Sequence, residues 1–459
     1  MTTTAFSSLP LSAEQLSNIQ SLAYLEMTPI QAQSLPPILA GKDLLAQAKT
    51  GSGKTAAFAI GLLHKLEIRT YQTQALVLCP TRELAEQVST EIRRLARAIP
   101  NTKIITLCGG KPMAPQLASL EHQPHIVVGT PGRILKHLEK ETLKLDGLTT
   151  LILDEADRML DMGFHDDIMR VIEKTPRQRQ TLLFSATYPD EIKKISNAIQ
   201  NKPVDVRIES VHDDKKIKQI FYEIKPGERT QTLIALLQHY QPESGLVFCN
   251  TKQQCQELAD DLRQQGFHAL ALHGDLEQRD REQVLVQFSN KSSPILIATD
   301  VAARGLDIKE LHAVINFELS PDPEVHIHRI GRTGRADKEG LALSLFTPSE
   351  KFRIEAIEDF IKSPVNIEKT SSLKTKKDVN QTPSMVTLCI NAGRKDKVRA
   401  GDILGALTVN TGLPGNKIGK IDIFDKLAYV AVESAVTKQA LKILSEGKIK
   451  GRKFKIRKL

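Results

Sequence analysis

The feature that most constrains the fold is a repeated alternation of short apolar runs with longer amphipathic stretches. From about residue 40 to residue 207, six apolar runs predict buried strands: Asp43–Ala48, Gln74–Cys79, Lys103–Leu107, His125–Gly129, Thr149–Asp154 and Thr181–Ser185. Helical patterns, such as Lys54–Leu66 and Thr81–Ala98, lie between them. Because strands that alternate with helices build parallel sheets covered on both faces, we predict an α/β domain at residues 1–208.

The same alternation returns in the second half of the chain. Its predicted strands are Gln219–Glu223, Gly245–Cys249, Ala269–Leu272, Pro294–Ala298, Ala313–Phe317 and Gly340–Leu345. Between the halves, Glu209–Lys218 is polar and charged, which is typical of a linker. The fold class is therefore predicted to be α/β, with two tandem parallel-sheet domains, the second at residues 217–362.

The last quarter of the chain has a different organisation. Residues 363–383 are rich in Ser, Thr, Lys, Asn and Pro, and we predict a flexible linker there. Elements in the order β-α-β-β-α-β follow from Met385 to Arg457, an arrangement that RNA-recognition motifs use. Residues 384–459 are therefore predicted to form a small α+β domain that resembles an RNA-recognition motif.

Charge is concentrated in this C-terminal domain. Residues 384–459 hold 16 of the 63 Lys and Arg residues and 6 of the 54 Asp and Glu residues, a net charge of +10, so the rest of the chain carries −1. A compact basic module indicates a polyanionic partner, nucleic acid first. A solvated basic tail without a specific role is the alternative.

Composition also excludes several classes of protein. No apolar run approaches the ~18 residues that a membrane span needs, and the first ten residues show no secretory pattern. The five cysteines are scattered without a C-x-x-C pair, which argues against a disulfide framework or a zinc site. We expect a cytoplasmic protein that does not associate with membranes and that, without a heptad seam, is a monomer.

A phosphate-binding loop follows the first predicted strand. The loop comprises Ala48, Lys49, Thr50, Gly51, Ser52, Gly53, Lys54 and Thr55, with Ala48 where the strict pattern has glycine. Small residues let backbone N–H groups surround phosphate oxygens at the start of a helix. Lys54 is predicted to hold the β- and γ-phosphates of ATP, and Thr55 the Mg²⁺ ion.

An acidic tetrad ends another predicted strand. Asp154 follows the strand directly and is predicted to be a second Mg²⁺ ligand. Glu155 is predicted to orient and deprotonate the attacking water. An acidic turn that caps the next helix is the alternative, and Asp157 fits it in part. Phosphate loop and acidic strand end together indicate a nucleoside triphosphatase.

Further motifs, in the same order along the chain, resemble those of the DEAD-box family of ATP-dependent RNA helicases. The motifs are Thr28-Pro29-Ile30-Gln31, Ser185-Ala186-Thr187, residues 299–307 and residues 328–335. The resemblance implies two RecA-like domains and ATP hydrolysis coupled to local unwinding of short RNA duplexes. It also implies that Gln31 reads the adenine edge, that Tyr24 packs against the base, and that Ser185 and Thr187 couple hydrolysis to strand separation.

The resemblance assigns roles in the second domain as well. Arg332 and Arg335 would be arginine fingers that reach the γ-phosphate, a role that suits a planar and permanently charged group. Gly305 and Asp307 would contact ATP, with Asp307 at the ribose. His328 and Arg329 would contact the acidic motif and the interdomain surface, so that His328 belongs to the coupling set.

Polar residues after several predicted strands are candidates for RNA binding. They are Thr81, Arg82, Gly110, Thr130 and Arg133 in the first domain and Thr251 and Thr299 in the second. Hydroxyls, backbone amides and arginines suit a phosphate backbone, and the absence of aromatics from these motifs predicts sequence-independent binding. Taken alone, Thr81 and Thr130 could equally be helix caps.

The C-terminal domain is predicted to select the RNA. Its third strand offers only Tyr429 for base stacking, so both stacking and a basic surface that includes Arg399, Lys450, Arg452 and Lys453 remain open. The resemblance extends to one bacterial subfamily over nearly the whole chain. It implies binding to a hairpin of 23S ribosomal RNA and a role in assembly of the large (50S) ribosomal subunit, on a precursor of that subunit.

Two other functions compete with this hypothesis. One is an ATP-dependent DNA helicase, against which the acidic tetrad, the Gln31 motif and the C-terminal fold all argue. The other is a binding protein with a vestigial ATP site. The intact set of Lys54, Asp154, Glu155, Arg332 and Arg335 argues against that second alternative.

Overall fold

The computed structural model describes residues 4–48, 51–188, 190–208, 217–303, 311–334, 339–374, 383–409 and 411–459. These residues form two compact units, at residues 4–208 and 217–459. Five of the predicted site residues lie outside the described residues: Lys49, Thr50, Gly305, Asp307 and Arg335.

The first unit is built on a seven-stranded parallel sheet. Its strands are β1 (Leu44–Gln47), β2 (Ala75–Leu78), β3 (Ile104–Leu107), β4 (Ile126–Gly129), β5 (Thr150–Leu153), β6 (Gln180–Ser185) and β7 (Val204–Arg207). They lie in the order β3-β4-β2-β5-β6-β1-β7. Ala75 and Val77 of β2 enter one apolar core, whereas Leu76 and Leu78 enter another. Both faces are therefore buried, which explains why the strands are continuous apolar runs.

Nine helices are described in this unit. They are α1 (Ala13–Ser21), α2 (Pro29–Leu39), α3 (Lys54–His64), α4 (Arg82–Leu95), α5 (Met113–Leu120), α6 (Pro131–Glu139), α7 (Ala156–Asp161), α8 (His165–Glu173) and α9 (Asp190–Ile199). Ser12 caps the start of α1: its side chain accepts a hydrogen bond from the Gln15 backbone, and the Gln15 side-chain oxygen accepts one from the Ser12 backbone. Among the described helices of the chain, none has the length and apolar character to cross a membrane.

The second unit contains a sheet with the same strand order. Its strands are β8 (Ile217–Glu223), β9 (Gly245–Phe248), β10 (Ala269–Leu272), β11 (Ile295–Ala298), β12 (Ala313–Asn316), β13 (Gly340–Phe346) and β14 (Ile367–Glu368). They lie in the order β10-β11-β9-β12-β13-β8-β14, which repeats the first sheet strand for strand. The helices are α10 (Arg229–Tyr240), α11 (Lys252–Gln264), α12 (Gln278–Ser289), α13 (Asp300–Ala303), α14 (Pro323–Ile330) and α15 (Lys351–Ile361).

A four-stranded antiparallel sheet completes the second unit. Its elements are β15 (Met385–Ile390), α16 (Ala400–Thr408), β16 (Ile418–Ile423), β17 (Ala428–Glu433), α17 (Thr437–Glu446) and β18 (Ile456–Lys458), with the strand order β16-β17-β15-β18. The predicted fold class, two RecA-like parallel-sheet domains followed by an RNA-recognition-motif-like domain, is confirmed. The last strand was predicted at Arg452–Arg457, but β18 is shorter and lies closer to the C-terminus, at Ile456–Lys458.

The segment predicted as a flexible linker begins as part of the second parallel sheet. β14 pairs with β8 through Ile367 and Phe221, and Leu373 packs against the apolar core of that domain. The apolar pattern misses this strand because it is only two residues long and lies at the sheet edge, with Ile367 50% exposed. The edge strand β7 of the first sheet was also not predicted, because its four residues alternate apolar with polar side chains.

One face of the antiparallel sheet packs against α12. Cys389 of β15 and Tyr429 of β17 form an apolar cluster with Val286 of α12. Asn290 Nδ2 donates to Thr387 Oγ1 at 3.3 Å along the same contact. Tyr429 is only 2% exposed. The face on which an RNA-recognition motif usually stacks bases is therefore covered by protein.

All five cysteines are buried thiols without a disulfide partner. Burial raises the pKa of Cys108 to about 12 and that of Cys255 to about 11. Cys108 and Cys255 therefore stay protonated at neutral pH, which fits a role in packing.

Candidate functional site

The carboxyl ends of the first-unit strands carry most of the predicted site. The phosphate loop follows β1, the acidic tetrad follows β5, and Ser185 ends β6. Parallel strands place their carboxyl ends at one edge of a sheet, where α/β proteins bind their ligands. Three short strands thus bring residues that are more than a hundred positions apart to one edge.

The phosphate loop is held by Lys54, the first residue of α3. Lys54 is 5% exposed, and its Nζ donates to the carbonyl oxygen of Ala48 at 2.5 Å. Gly53 has φ +98°, and a Cβ there would lie 2.5 Å from Gln31 Nε2. Only glycine fits this position, because both the backbone angle and the space exclude a side chain.

Gln31 links the adenine-recognition motif to the phosphate loop. Its Nε2 donates to the Gly53 carbonyl at 3.1 Å, and its Oε1 accepts from the Thr28 backbone at 2.9 Å. A carboxamide has two N–H donors and two lone pairs on its oxygen, so one donor and one acceptor site remain beyond these bonds. Adenine recognition by Gln31 stays a prediction that this arrangement permits.

Tyr24 is half-buried beside the site. Its ring meets Phe6 edge-on with centroids 6.3 Å apart, and its hydroxyl donates to Glu91, which also accepts from Arg94 at 2.8 Å. Burial and the Glu91 carboxylate raise the pKa of Tyr24. The ring is thus fixed by core packing and by a hydrogen bond, and its contact with a base stays a prediction.

The acidic tetrad is buried. Asp154 is 2% exposed, and burial, with a smaller effect of Glu155, raises its pKa to about 7 although Lys54 acts in the opposite direction. A nearby cation strongly stabilises the ionised form of a buried carboxyl group of this kind. Asp154 and the half-buried Thr55 offer oxygen donors, which Mg²⁺ prefers, so these residues fit a Mg²⁺ site.

Glu155 has an ion-pair partner that the sequence did not predict. The Arg158 guanidinium donates to Glu155 Oε2 at 2.8 Å, and both side chains are at most 5% exposed. Glu155 itself has φ +53°, a left-handed conformation that is rare outside glycine. The nearest sequence signal is the spacing of three residues, which places an acid and a base on one helix face.

Asp157 joins the acidic tetrad to the predicted coupling motif. Its Oδ2 accepts from the backbone N–H groups of Ala186 and Thr187 at 3.1 and 3.0 Å and from Thr187 Oγ1 at 3.0 Å. Ser185 lies in the same loop, and its carbonyl accepts from the Ala48 backbone at 3.1 Å. The structure therefore connects the coupling motif to both the acidic tetrad and the phosphate loop.

The RNA-binding candidates of the first unit form a second cluster at the same sheet edge. Arg82 lies against the Gly109–Gly110 turn, where a Cβ on Gly110 would meet Arg82 Nη1 at 1.8 Å. Arg133 Nη1 donates to the Lys111 carbonyl at 3.1 Å and thereby joins the loops after β3 and β4. Thr81 caps α4 by accepting from the Leu84 backbone at 3.2 Å, and Thr130 precedes Pro131 at the start of α6.

In the second unit, Thr251 and Thr299 follow neighbouring strands. Thr251 caps α11 through the Gln254 backbone at 3.2 Å, and Thr299 follows β11 directly and is 8% exposed. Because β9 and β11 are paired, these loops lie side by side. Thr81 and Thr251 each cap a helix, and each also lies next to other RNA-binding candidates. Capping therefore does not exclude a role in RNA binding, which stays a prediction.

Arg329 has its hydrogen-bond partners within the second unit. It is 2% exposed, and its guanidinium donates to Asp300, Asn316, Asn250 and the Glu318 carbonyl. His328 and Arg332 lie beside it, at the end of α14 and just beyond it. Their roles toward the acidic motif and the γ-phosphate stay predictions.

The basic residues of the C-terminal domain gather on two adjacent loops. Arg399 lies in the loop before α16, whereas Lys450, Arg452 and Lys453 follow α17, and all four are exposed. Lys450 and Gly451 have φ +52° and +79°, so the chain turns tightly there. Lys450 Nζ donates to the Lys397 carbonyl at 3.0 Å, which joins the loops.

Three family models match the chain. One described as DEAD/DEAH box helicase matches residues 28–195, one described as Helicase conserved C-terminal domain matches residues 228–337, and one described as DbpA RNA binding domain matches residues 387–458. Together they cover both parallel-sheet domains and the antiparallel one.

Relatives and solved structures agree with these matches. The chain is 55% identical to the ATP-dependent RNA helicase DbpA of Escherichia coli over 99% of this chain and 100% of that protein. It is 43% identical to the DEAD-box ATP-dependent RNA helicase CshA of Geobacillus kaustophilus over 77% of this chain and 76% of that protein. Dbp5 of S. cerevisiae, solved bound to RNA and ADP BeF3, is similar in structure with a TM-score of 0.74 at 29% identity, over 80% of this chain and 96% of that one.

Proposed function

The chain belongs to the DEAD-box family of ATP-dependent RNA helicases, and from this premise we propose that it remodels ribosomal RNA during assembly of the large ribosomal subunit. A hairpin of 23S ribosomal RNA is the proposed target of the C-terminal domain, and a precursor of that subunit is the proposed substrate. We further propose that the protein acts as a monomer in the cytoplasm.

Most of the residues that we propose for ATP hydrolysis lie in the first unit, and the second parallel-sheet domain supplies the arginine fingers. Lys54 would bind the β- and γ-phosphates, and Glu155, aimed by Arg158, would accept the proton of the attacking water. Thr55 and Asp154 would hold Mg²⁺, which neutralises charge on the phosphates. Arg332 and Arg335 would stabilise the transition state, while Tyr24, Gln31, Gly305 and Asp307 would hold the nucleoside.

The observation that carries the proposal is the hydrogen-bonded connection from the phosphate loop to the acidic tetrad. Ala48 donates to the Ser185 carbonyl, and two residues later Thr187 donates to Asp157. These bonds would let a change at the γ-phosphate reach the segment from Ser185 to Thr187, at the sheet edge where the RNA-binding candidates also lie. Such a link is what coupling of hydrolysis to RNA binding requires.

Target selection by the C-terminal domain is supported by its exposed charge. Base stacking is hindered because Tyr429 is buried against α12, whereas Arg399, Lys450, Arg452 and Lys453 are exposed on two joined loops. Cations on rigid loops suit the phosphates of a folded RNA element. We therefore propose that these loops recognise the shape of the hairpin.

The test is ATP hydrolysis by the full chain with 23S ribosomal RNA, unrelated RNA and single-stranded DNA of equal length. We expect stimulation by RNA over DNA, and half-maximal stimulation at a concentration of 23S RNA at least tenfold below that of unrelated RNA. Equal response to all RNAs would remove the ribosomal target but leave the helicase. Stronger stimulation by DNA would contradict the RNA proposal itself.

Variants that remove charge test which residues cause the preference for 23S RNA. Replacement of Arg399, Lys450, Arg452 and Lys453 by glutamine should abolish the preference for 23S RNA. Replacement of the exposed Lys438 and Lys442 on α17 is the control, because it removes charge from another surface of the same domain. Loss of the preference in both variants would show that the domain attracts RNA only through its net charge.

A further inference from the structure

The segment between α1 and α2 is anchored to the C-terminal end of α4. Tyr24 lies in this segment, and its hydroxyl donates to a carboxylate oxygen of Glu91 on α4. Asn18 of α1 donates from Nδ2 to the Arg94 and Leu95 carbonyls, at 3.2 and 2.9 Å. The end of α4 therefore holds the part of the chain that carries the predicted base contact.

The Glu91 carboxylate has a defined orientation. Its side chain is 17% exposed, and its second oxygen accepts from Arg94 Nη1 at 2.8 Å. An ionised acceptor binds a hydroxyl more strongly than a neutral acceptor does. Because burial and Glu91 raise the pKa of Tyr24, the hydroxyl stays protonated at neutral pH and remains the donor.

The hydroxyl bond adds to partial packing of the Tyr24 ring. Phe6 meets the ring edge-on, and Tyr24 packs at the margin of the first apolar core while it remains half-buried. The next residue, Leu25, is 80% exposed. Partly exposed side chains change rotamer readily, and a bond at the far end of the ring opposes that motion.

We propose that Glu91 is a positioning residue that holds the Tyr24 ring in the orientation in which it packs against the base of ATP; this rests on the base contact of Tyr24 in the proposed function above. A ring that is fixed before the nucleotide arrives loses less freedom on binding, so the bond should strengthen ATP binding. The bond is made equally before and during hydrolysis. Its loss should therefore change the KM for ATP rather than kcat.

The experiment measures kcat and the KM for ATP of the full chain with saturating RNA. Glu91→Ala removes the acceptor, Tyr24→Phe removes the hydroxyl and keeps the ring, and a double variant carries both changes. Glu91→Gln keeps an acceptor oxygen and tests rescue. Glu86→Ala is the control, because Glu86 lies on the same helix and pairs with Lys111 at 2.7 Å with both side chains 45% exposed.

We expect Glu91→Ala and Tyr24→Phe each to raise the KM for ATP about fivefold while kcat stays within about twofold. The double variant should match the single variants, because both changes remove the same bond. Glu91→Gln should restore most of the affinity, and Glu86→Ala should leave the KM unchanged. An unchanged KM in Glu91→Ala, or effects that multiply in the double variant, would overturn the proposal.

Tyr24→Phe keeps the test decisive if Glu91→Ala does not fold, because it loses only the hydroxyl; an unchanged KM in Tyr24→Phe would then overturn the proposal. Tyr24→Ala separates this proposal from the proposed function. It removes the ring itself and should raise the KM more than Glu91→Ala does. An unchanged KM in Tyr24→Ala would contradict the base contact, whereas a raised KM there with an unchanged KM in Glu91→Ala would overturn the positioning role alone.

Discussion

Arg158 donates a hydrogen bond to Glu155 at 2.8 Å, and both side chains are at most 5% exposed. The pair holds the Glu155 carboxylate at the start of α7, beside the buried Asp154. A carboxylate in a dry environment with one defined orientation is well suited to act as a general base, because its approach to the attacking water is fixed in advance.

Replacement of Glu155 by glutamine should lower kcat for RNA-stimulated ATP hydrolysis by about 100-fold or more, because a neutral amide cannot accept the proton of the water. The amide oxygen can still accept from Arg158, so ATP binding should remain. Steady-state hydrolysis and equilibrium binding of ATP measure the two effects. The exposed Glu173 is a control position, and turnover within threefold of the unmodified chain would exclude Glu155 as the base.

Replacement of Arg158 by methionine should reduce the free energy of unfolding of the first unit by about 3–5 kcal/mol, because it removes the guanidinium that pairs with a buried carboxylate. Urea unfolding measures this loss. Arg170→Met is the control, since Arg170 pairs with Glu139 at the surface with side chains 56% and 47% exposed, and its loss should cost at most about 1 kcal/mol. Equal effects would show that the Glu155 pair adds no special stability.

Replacement of Ala23 by glycine should stabilise the first unit. Ala23 has φ +63°, a left-handed conformation that costs an L-residue about 1–2 kcal/mol and glycine almost nothing. After allowance for the greater freedom of glycine in the unfolded chain, we expect a gain of about 0.5–1 kcal/mol. Thermal unfolding would show it, and Ala13→Gly at the start of α1 should destabilise instead. A lower melting temperature for Ala23→Gly would contradict the prediction.

His326 should make the second unit less stable in acid. Burial, together with Arg329, lowers its pKa to about 3 from an ordinary 6.5. Between these two values the unfolded chain binds a proton at His326 and the folded chain does not. The contribution of neutral His326 to the stability of the fold is therefore full above pH 6.5 and is lost as the pH falls toward 3. The loss is about 1.4 kcal/mol per pH unit, or about 2 kcal/mol between pH 7 and pH 5.

The measurement is urea unfolding of the unmodified chain and of His326→Gln at both pH values. The difference between the two pH values should shrink in the variant, whatever its absolute stability. His165→Gln, at a residue whose side chain is 57% exposed, should retain the full difference. An unaltered pH difference in His326→Gln would show that other groups cause it.

Replacement of Tyr429 by phenylalanine should leave the affinity for 23S RNA within twofold, because the ring is buried between the sheet and α12. Removal of Arg452 and Lys453 should instead reduce the affinity and the salt dependence of binding, since each phosphate contact releases about one counterion. Titrations at several salt concentrations separate these effects. A large loss with Tyr429→Phe would favour base stacking over the basic loops.

The sequence predicts the strongly apolar strands well. Every interior strand of both parallel sheets is predicted within about one or two residues, because burial on both faces leaves a continuous apolar run. The edge strands β7 and β14 are missed, since Val204–Arg207 alternates apolar with polar residues and Ile367 is half exposed, whereas the edge strands β3 and β10 are predicted. Because the two parallel sheets have the same strand order, β14 occupies the place in the second sheet that β7 occupies in the first.

Candidate site residues could be predicted from the sequence where polar residues follow or end an apolar strand. The phosphate loop and Asp154 directly follow strands and Ser185 ends one, so the fold brings them to one edge. Neither the Glu155–Arg158 pair nor the Asp300–Arg329 pair was predicted, because an arginine on a helix looks the same in sequence whether it faces solvent or a buried acid. The spacing of three residues allows the first pair, whereas tertiary packing brings Arg329 to Asp300.

The burial of all five cysteines makes the chain suited to spectroscopy. Buried thiols react slowly with maleimides, so a surface cysteine introduced at Glu173 in the first unit and another at Lys362 in the second would be the sites of labelling. Two dyes at these positions would report the distance between the units by energy transfer. Binding of ATP and RNA could then be followed in single molecules without removing any native thiol.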